Sequence, residues 1–306
     1  MAFQVLSESD IEQFIHHGYV QVKEAFPREI ALEAQSFLWD RLIEAYLEYG
    51  MVKDAPETWA AALEKDANAA FPTIHLRTFY NEPEFKRCET QRLAGAIEDL
   101  IGIGRWALKH EPHNWGWWPI NFAVGTAQPW EVPTAGWHWD GMNRKHKVTS
   151  PEQGLLVLPC FSDVASKGGG TLLARGSHQV VARYLSRFPD GQDSSLAIKE
   201  CAVEHPWLAE LTGAKDSVSN RQKFLETPFI DEDGTELQVV ETIARAGDVL
   251  LGHPFLFHAA SQNHSGMPRF MCNRAAPLTA PMELNRPNDD YSVLELSIRH
   301  ALKIDS

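Results

Sequence analysis

The chain of 306 residues carries a formal net charge of −13, which argues against nucleic acid or anionic membranes as general partners. Its composition, 44% hydrophobic and 23% charged, is that of a globular protein, and no run approaches the roughly 18 apolar residues of a membrane span. The cysteines Cys88, Cys160, Cys201 and Cys272 form no CxxC pair, so neither a zinc cluster nor a dense disulfide framework is expected. Since the N-terminus has no signal-peptide pattern, we expect a cytoplasmic protein.

The first third of the chain is expected to be mostly helical. Ser7 followed by Asp10 is typical of a capped helix start, and Gly18 is typical of its end. Tyr19–Val22 then alternates like a short strand. Further helices are expected over residues 27–50, 56–70 and about 83–101.

From about residue 113 the pattern changes to short aromatic and β-branched runs separated by Gly and Pro, which predicts a β-sandwich or barrel. Strands are expected at 115–124, 136–140, 155–161, 171–175, 238–243, 248–253, 255–259 and 269–273. Residues of about 180–235 turn helical again and are expected to form an insertion over one mouth of the barrel. We expect one domain over 1–306, with a helical flank over 1–112, a β core over 113–280 and a tail over 281–306.

One of these segments carries a metal-binding pattern. Residues two apart in a strand share a face, so His138 and Asp140 are expected to project together while Trp139 points elsewhere. An imidazole and a carboxylate are two of the three ligands of a two-histidine, one-carboxylate iron(II) site. On this tripeptide alone, a surface pair and a metal site are equally good interpretations.

A second histidine ligand has to come from elsewhere in the chain, and the downstream candidates are His146, His178, His205, His253, His258 and His264. His258 ends an apolar run that follows the turn at Gly247, and Arg269 comes 269 − 258 = 11 residues later. An arginine on a strand beside a metal is suited to holding a carboxylate by two hydrogen bonds. The alternatives are a buried structural histidine for His258 and a surface salt bridge for Arg269.

Four segments, in this order, resemble the phytanoyl-CoA dioxygenase family of iron(II)/2-oxoglutarate-dependent oxygenases. They are the start at residues 6–20, the HxD motif at 137–140, the Gly-Gly-Thr to Gly-Ser-His stretch at 169–178, and residues 247–269. The resemblance covers nearly the whole chain. It implies a mainly β protein with a double-stranded β-helix core of the jelly-roll, cupin-like kind, flanked by N-terminal helices and a helical insertion.

The resemblance also implies roles for individual residues. The implied iron ligands are His138, Asp140 and His258. Arg269 is implied as the partner of the distal carboxylate of 2-oxoglutarate, with Thr171 lining the co-substrate pocket and Asn121 contacting the co-substrate through its amide. The implied cofactors are iron(II), 2-oxoglutarate and O₂. The implied reaction oxidises a C–H bond, usually by hydroxylation, while 2-oxoglutarate is decarboxylated to succinate and CO₂.

Some positions depart from the family pattern or qualify it. Arg175 stands where the family usually has Pro before Gly-Ser-His, which alters that turn without touching the metal, and His178 is expected to be structural. Ala260 stands where many members carry a serine that bonds the co-substrate, and the adjacent Ser261 is expected to point the other way. Asp140 is intact, whereas related halogenases replace this carboxylate with a small residue, so halogenation is not expected.

The expected substrate is a small molecule. Tryptophans are clustered at Trp115, Trp117, Trp118, Trp130, Trp137 and Trp139. Some of them lining the pocket mouth would suit an apolar or ring-bearing substrate, although core packing is the favoured interpretation for most. Residues 144–147 form the most basic run of the chain; a solvated loop is favoured, and an acyl-CoA substrate stays open. Desaturation, ring formation and demethylation also stay open.

Two other functions compete with an oxygenase. One is a catalytically silent jelly-roll ligand-binding protein, and the intact His138, Asp140, His258 and Arg269 argue against it. The other is a cupin-like metalloenzyme without 2-oxoglutarate, against which the position of Arg269 argues. The oligomeric state is left open.

Overall fold

The computed structural model describes residues 3–66, 73–80, 82–107, 115–123, 126–141, 145–215 and 220–304. The helices within these ranges are α1 (Glu8–His17), α2 (Arg28–Ala45), α3 (Glu57–Lys65), α4 (Pro83–Arg87), α5 (Gln91–Ile101), α6 (Ser177–Ser186), α7 (Ser194–Glu204), α8 (Pro206–Leu211), α9 (Lys223–Glu226) and α10 (Val293–Ala301), with a 3₁₀ turn at Leu47–Tyr49. The strands are β1 (Tyr19–Val22), β2 (Thr73–Leu76), β3 (Trp118–Asn121), β4 (Lys145–His146), β5 (Leu156–Pro159), β6 (Thr171–Arg175), β7 (Gln192–Asp193), β8 (Phe229–Ile230), β9 (Glu236–Glu241), β10 (Val249–Gly252), β11 (His258–Ala260) and β12 (Arg274–Ala275).

Two four-stranded antiparallel sheets form the centre of the fold. Their strand orders are β1-β10-β5-β12 and β11-β6-β9-β8. One small apolar cluster draws on both sheets and consists of Leu156, Leu158, Leu173, Leu250, Leu256 and Met271. The short pairs β2-β3 and β4-β7 complete the β structure. The expectation of a mainly β jelly-roll is confirmed, although the sheets do not close into a barrel.

The first of these sheets is buried on both faces. Along β10, Leu250 belongs to the small cluster, whereas Val249 and Leu251 belong to a larger core. That larger core also contains Leu38 of α2 and Leu100 of α5. Because successive strand residues point to opposite faces, the helical flank covers the outer side of this sheet, and the small apolar cluster covers its inner side.

The helical flank follows the predictions with two differences. α1 has the expected capping box between Ser7 and Asp10, and Gly18 ends it in the left-handed conformation. The helix predicted over 83–101 is two helices, because Thr90 accepts the Leu93 N–H at 3.1 Å and caps a new start at α5. The helix predicted over 56–70 ends at Lys65, and residues 67–70 lie outside the described part.

Three strand predictions need correction. Residues 136–140 form no strand, and His138 makes only an isolated bridge. The strand predicted over 255–259 begins three residues later, at His258. Residues 269–273 make isolated bridges at Arg269 and Met271 before β12 begins. The strand β2 was not predicted, because it forms by pairing with β3 and carries no turn signals of its own.

The segment of residues 180–235 is largely helical, as predicted, and holds most of α6 together with α7, α8 and α9. The pairing of β4 with β7 joins it to the stretch that follows Asp140. In the described part of the chain, every helix is too short or too polar to pass through a membrane. The organisation as one domain stays a prediction.

Candidate metal centre

His138 and His258 lie directly opposite each other in an antiparallel bridge. Each backbone N–H donates to the carbonyl of the other residue, at 3.0 Å from His138 and 2.8 Å from His258. Directly opposed residues of an antiparallel pair present their side chains on one face. The two imidazole rings are accordingly neighbours, with centroids 4.4 Å apart.

Asp140 completes a group of three potential ligands. Its Oδ1 lies 3.7 Å from His138 Nε2 and 3.8 Å from His258 Nε2. The three ligand atoms all lie within 4.8 Å of one another, and no other such group of His, Cys, Asp or Glu occurs among the described residues. Two atoms bound to one divalent ion at ordinary bond lengths lie roughly 3 to 4 Å apart. The donors are therefore spaced for a single ion.

Both histidines have the tautomer that metal binding requires. Nδ1 of His138 lies 2.7 Å from the Gly136 carbonyl, and Nδ1 of His258 lies 3.0 Å from the Leu256 carbonyl. A carbonyl only accepts, so each Nδ1 carries a proton, and the Nε2 of the neutral ring has its lone pair toward Asp140. Burial, assisted by His138, lowers the pKa of His258 to about 4, so this imidazole is neutral at pH 7.

Buried tryptophans hold the segment that carries His138 and Asp140. Trp137 donates from Nε1 to the Pro133 carbonyl at 2.8 Å, and Trp139 donates to His146 Nδ1 at 3.0 Å. Both rings are buried, as expected for the face opposite the ligands. Gly141 has a φ of +99°, and a Cβ there would lie 2.2 Å from His146 Nε2, so the turn after Asp140 requires glycine.

Asn273 is a site residue that the motif did not reveal. Its side-chain amide donates to Asp140 Oδ2 at 3.1 Å, which leaves Oδ1 facing the two imidazoles. Its backbone N–H donates to the Trp117 carbonyl at 2.8 Å. Strand periodicity could have indicated Asn273 as a site residue, because it follows Arg269 by four residues and an extended segment places both on one face.

Arg269 is a buried cation that lacks a carboxylate partner. Its side chain donates from Nε to the Gly169 carbonyl at 2.9 Å and from Nη1 to the Pro119 carbonyl at 3.0 Å. No carboxylate of the described residues makes a salt bridge with it, and it is 3% exposed. Burial lowers its pKa to about 10, so it remains charged at pH 7. A buried charge without an opposite charge is unfavourable, so this place suits an anion.

Thr171 lies on the same face as His258. It is opposite Ala260 in the pairing of β6 with β11, two positions from the pairing of His258 with Leu173. Its hydroxyl lies 3.7 Å from the sulfur of Met271. The structure thus places Thr171 beside the metal centre, and its role toward a co-substrate stays a prediction.

Asn121 is directly opposite Arg269, so both side chains share a face. Its amide nitrogen donates to the carbonyls of Gly169 and Ser261, at 3.3 Å and 2.7 Å. Both amide hydrogens are thereby used, while the buried Oδ1 accepts no hydrogen bond from the described residues. A contact with 2-oxoglutarate stays a prediction, and Oδ1 can serve only a donor.

Several other candidates lie away from the three ligands. Ser261 donates to the Gly170 carbonyl at 2.7 Å, so its hydroxyl is already engaged. His178 is buried and contacts the Ile15 carbonyl at 3.1 Å, in keeping with a structural role. Of the basic run, Lys145 and Lys147 are exposed and His146 is buried, while Arg144 lies outside the described residues.

One arginine joins the insertion to the loop that precedes His138. Arg221 donates to the Val132 carbonyl at 2.5 Å and the Pro133 carbonyl at 2.7 Å. It also donates to the carbonyls of Leu211 and Glu210, at 2.6 Å and 3.3 Å, at the end of α8. The insertion therefore supports the backbone that leads into the metal centre.

Comparison with known proteins identifies the family. Residues 14–271 match the family described as phytanoyl-CoA dioxygenase (PhyH). Among solved structures, EvdMO1 is 17% identical with a TM-score of 0.46; the alignment covers 86% of this chain and 48% of that one, so the chain spans about half of EvdMO1. AviO1 from Streptomyces viridochromogenes Tue57 is 16% identical, with a TM-score of 0.46 and coverage of 92% of this chain and 99% of that one.

HygX from Streptomyces hygroscopicus, solved with nickel and 2-oxoglutarate bound, is 15% identical, with a TM-score of 0.45 and coverage of 87% of this chain and 85% of that one. No curated protein matches the sequence. The family match spans most of the chain and includes the segments of His138, Asp140, His258 and Arg269. The chain belongs to the phytanoyl-CoA dioxygenase family.

Proposed function

We propose that this protein is an iron(II)- and 2-oxoglutarate-dependent oxygenase that hydroxylates a C–H bond of a small molecule, with iron(II) held by His138, Asp140 and His258. The observation that carries the proposal is the convergence of two Nε2 lone pairs and one carboxylate oxygen within 4.8 Å. Two imidazoles and one carboxylate are the donor set of non-haem iron(II) oxygenases. Since both Nδ1 atoms are fixed by backbone carbonyls, the donors are prepared before any metal arrives.

Arg269 is proposed to bind the distal carboxylate of 2-oxoglutarate. Two backbone carbonyls fix its guanidinium, and its charge has no anionic partner among the described residues. A carboxylate bound here gains a charge-assisted hydrogen bond and relieves the buried cation at the same time. Arg269 would therefore select a co-substrate with a second carboxylate and fix its orientation toward the metal ligands.

The remaining residues of the site orient the metal ligands and exclude water. Iron(II), when bound, would supply open coordination positions for the keto acid and for O₂, and with them the oxidising power of the reaction. Asn273 holds Asp140 Oδ2, so that only Oδ1 faces the imidazoles. Trp137 and Trp139 fill the space behind the ligands and keep water from that side. The proton on each Nδ1 stays with the backbone carbonyl it contacts and takes no part in the chemistry.

The open side of the centre indicates where the substrate approaches. The side chain of His258 is 7% exposed, that of Asp140 is 17% exposed and that of His138 is 31% exposed. Exposure thus rises from His258 toward His138. A substrate C–H bond would reach the centre from the side of His138 and Asp140, whereas His258 lies at the closed end.

The test is anaerobic addition of iron(II) and 2-oxoglutarate to the purified protein. A keto acid chelated to iron(II) gives a weak visible charge-transfer band, and we expect this band in the wild type and not in His258→Ala. The absence of the band from protein that has bound iron would contradict the proposal and favour a metalloenzyme without a keto acid. A band without succinate release for any substrate of a broad screen would favour a silent binding protein.

A further inference from the structure

Three neighbouring segments present one continuous face that includes the candidate site. β2 pairs with β3 so that Thr73 is opposite Asn121, and Asn121 is opposite Arg269 in the next segment. Opposed residues share a face and the side-chain period is two. The side chains therefore stand in three rows, which are Thr73–Asn121–Arg269, His75–Pro119–Met271 and Arg77–Trp117–Asn273.

The third row runs from the metal ligands toward the surface. Asn273 contacts Asp140, and its backbone N–H donates to the Trp117 carbonyl. The guanidinium carbon of Arg77 lies 4.4 Å from the centre of the Trp117 ring system. Neighbouring strands are roughly 5 Å apart, so the backbone of Arg77 lies about 10 Å from the backbone of Asn273, the residue whose side chain holds Asp140.

Arg77 differs from the other arginines that lie over aromatic rings. Arg187 lies 4.5 Å from the Tyr184 ring and bonds Glu204 at 2.6 Å, and Arg274 lies over Trp115 and faces Glu89. Arg77 makes no hydrogen bond or salt bridge with any described residue. Its cation is thus positioned by Trp117, while none of the described residues uses its hydrogen-bond donors.

We propose that Arg77, held over Trp117, binds an anionic group of the substrate, a carboxylate or a phosphate, and that the oxidised C–H bond lies roughly 10 Å from that group. This inference rests on the proposed function of the metal centre. It assigns the substrate to the class of small organic anions long enough to span the third row.

Charge and distance separate this subsite from the co-substrate site. The chain carries a net charge of −13, so an anion is attracted only where a cation is fixed locally. Arg77 directly follows β2 and is four residues from Thr73, which places its row roughly 13 Å from the row of Arg269. A 2-oxoglutarate bound at Arg269 is too short to reach Arg77. The buried arginine thus serves the co-substrate and the exposed one serves the substrate.

The experiment measures binding by calorimetry on protein loaded anaerobically with iron(II) and 2-oxoglutarate. The probes are biphenyl-4-carboxylate, biphenyl-4-yl phosphate and the uncharged biphenyl-4-carboxamide. We expect the wild type to bind both anions at least about tenfold more tightly than the carboxamide, and Arg77→Gln to abolish this preference. Trp117→Ala should weaken both anions while Trp117→Phe retains them, and Arg187→Gln, the matched cation–π control, should bind like the wild type.

Three results would overturn the subsite: carboxamide binding equal to that of the anions, unchanged anion affinity in Arg77→Gln, or no binding of either anion to the wild type. A loss of 2-oxoglutarate affinity in Arg77→Gln would also overturn it, because Arg77 would then serve the co-substrate. The proposed function fails separately, if the wild type takes up no iron(II) or 2-oxoglutarate in the loading step. The probes are then titrated into the unloaded protein, where the same preference and the same variants decide the subsite.

Discussion

Asn273 donates its side-chain amide to Asp140 Oδ2 at 3.1 Å, and Asp140 Oδ1 faces the Nε2 atoms of both histidines. The amide therefore determines which carboxylate oxygen is presented to a metal. A hydrogen bond of this kind orients a ligand without touching the ion itself, so Asn273 is a positioning residue.

Replacing Asn273 with alanine is expected to weaken iron(II) binding about tenfold to a hundredfold, the range found when the hydrogen-bond partner of a ligand is lost. The measurement is metal affinity under anaerobic conditions, together with thermal unfolding of the metal-free protein. The exposed Asn288→Ala serves as the control. A purely structural role would lower the unfolding temperature of the metal-free variant and leave its iron affinity unchanged.

Replacing Arg269 with glutamine is expected to weaken 2-oxoglutarate binding by roughly a hundredfold or more while iron(II) affinity stays near that of the wild type. The buried guanidinium has no anionic partner among the described residues, and glutamine cannot replace its charge. The measurement is the rise in unfolding temperature on adding 2-oxoglutarate to iron-loaded protein. An equal rise in the variant would show that another group binds the distal carboxylate.

The buried histidine at the start of α6 is expected to make stability depend on pH. Burial is the main cause that lowers the pKa of His178 from its usual 6.5 to about 3; the Ile15 carbonyl opposes this shift, and the nearby His17, His300 and Arg183 add to it. A lowered pKa means that the unfolded chain binds the proton first, so the stabilisation is complete above about pH 6.5 and is lost as pH falls toward 3. One such proton changes the free energy of unfolding by up to about 1.4 kcal/mol per pH unit.

The measurement is urea unfolding of the wild type and His178→Gln between pH 7.5 and about pH 4.5. The free energies of the two proteins should converge as pH falls, because glutamine does not titrate. Parallel curves for His178→Gln would place the histidine's pKa near its ordinary value.

Two glycines with the same backbone angle permit a matched test of packing at this histidine. Gly18 and Gly50 both have a φ of +83°, but a Cβ at Gly18 would lie 2.5 Å from His178 Nδ1, whereas a Cβ at Gly50 would meet nothing within 4 Å. We expect Gly50→Ala to cost about 1 kcal/mol of stability from backbone strain alone. Gly18→Ala should cost about 2 to 4 kcal/mol, because the ring must also move. Equal losses in chemical denaturation would show that His178 has room to shift.

The sequence identified His138 and Asp140 as residues of one site, but the structure brings them together by a different local conformation from the one expected. His138 and Asp140 were expected on one face because of strand alternation. The structure has no strand there, since Gly136 and Gly141 both adopt positive φ, and the single bridge to His258 sets the position of His138. A motif can therefore identify the right residues by their type and spacing, even where tertiary contacts determine the local conformation.

What could not be predicted depends on pairing between distant segments. β2 exists only because it pairs with β3, and neither its residue His75 nor Arg77, which directly follows it, had a local signal of function. Asn273 gains its role only when the fold brings it against Asp140, 133 residues earlier in the chain. Helix caps, by contrast, depend on a few neighbouring residues, so the start and the end of α1 were both predicted correctly.

The four carbonyl contacts of Arg221 tie the insertion to the loop before His138. Because one guanidinium is bonded to both segments, the insertion cannot move without either breaking these hydrogen bonds or moving the loop with it. If the insertion opened as a lid with these bonds intact, it would displace the loop that leads to the metal ligand His138. Entry of a substrate beside Arg77 and Trp117, which are both exposed, would require no such motion.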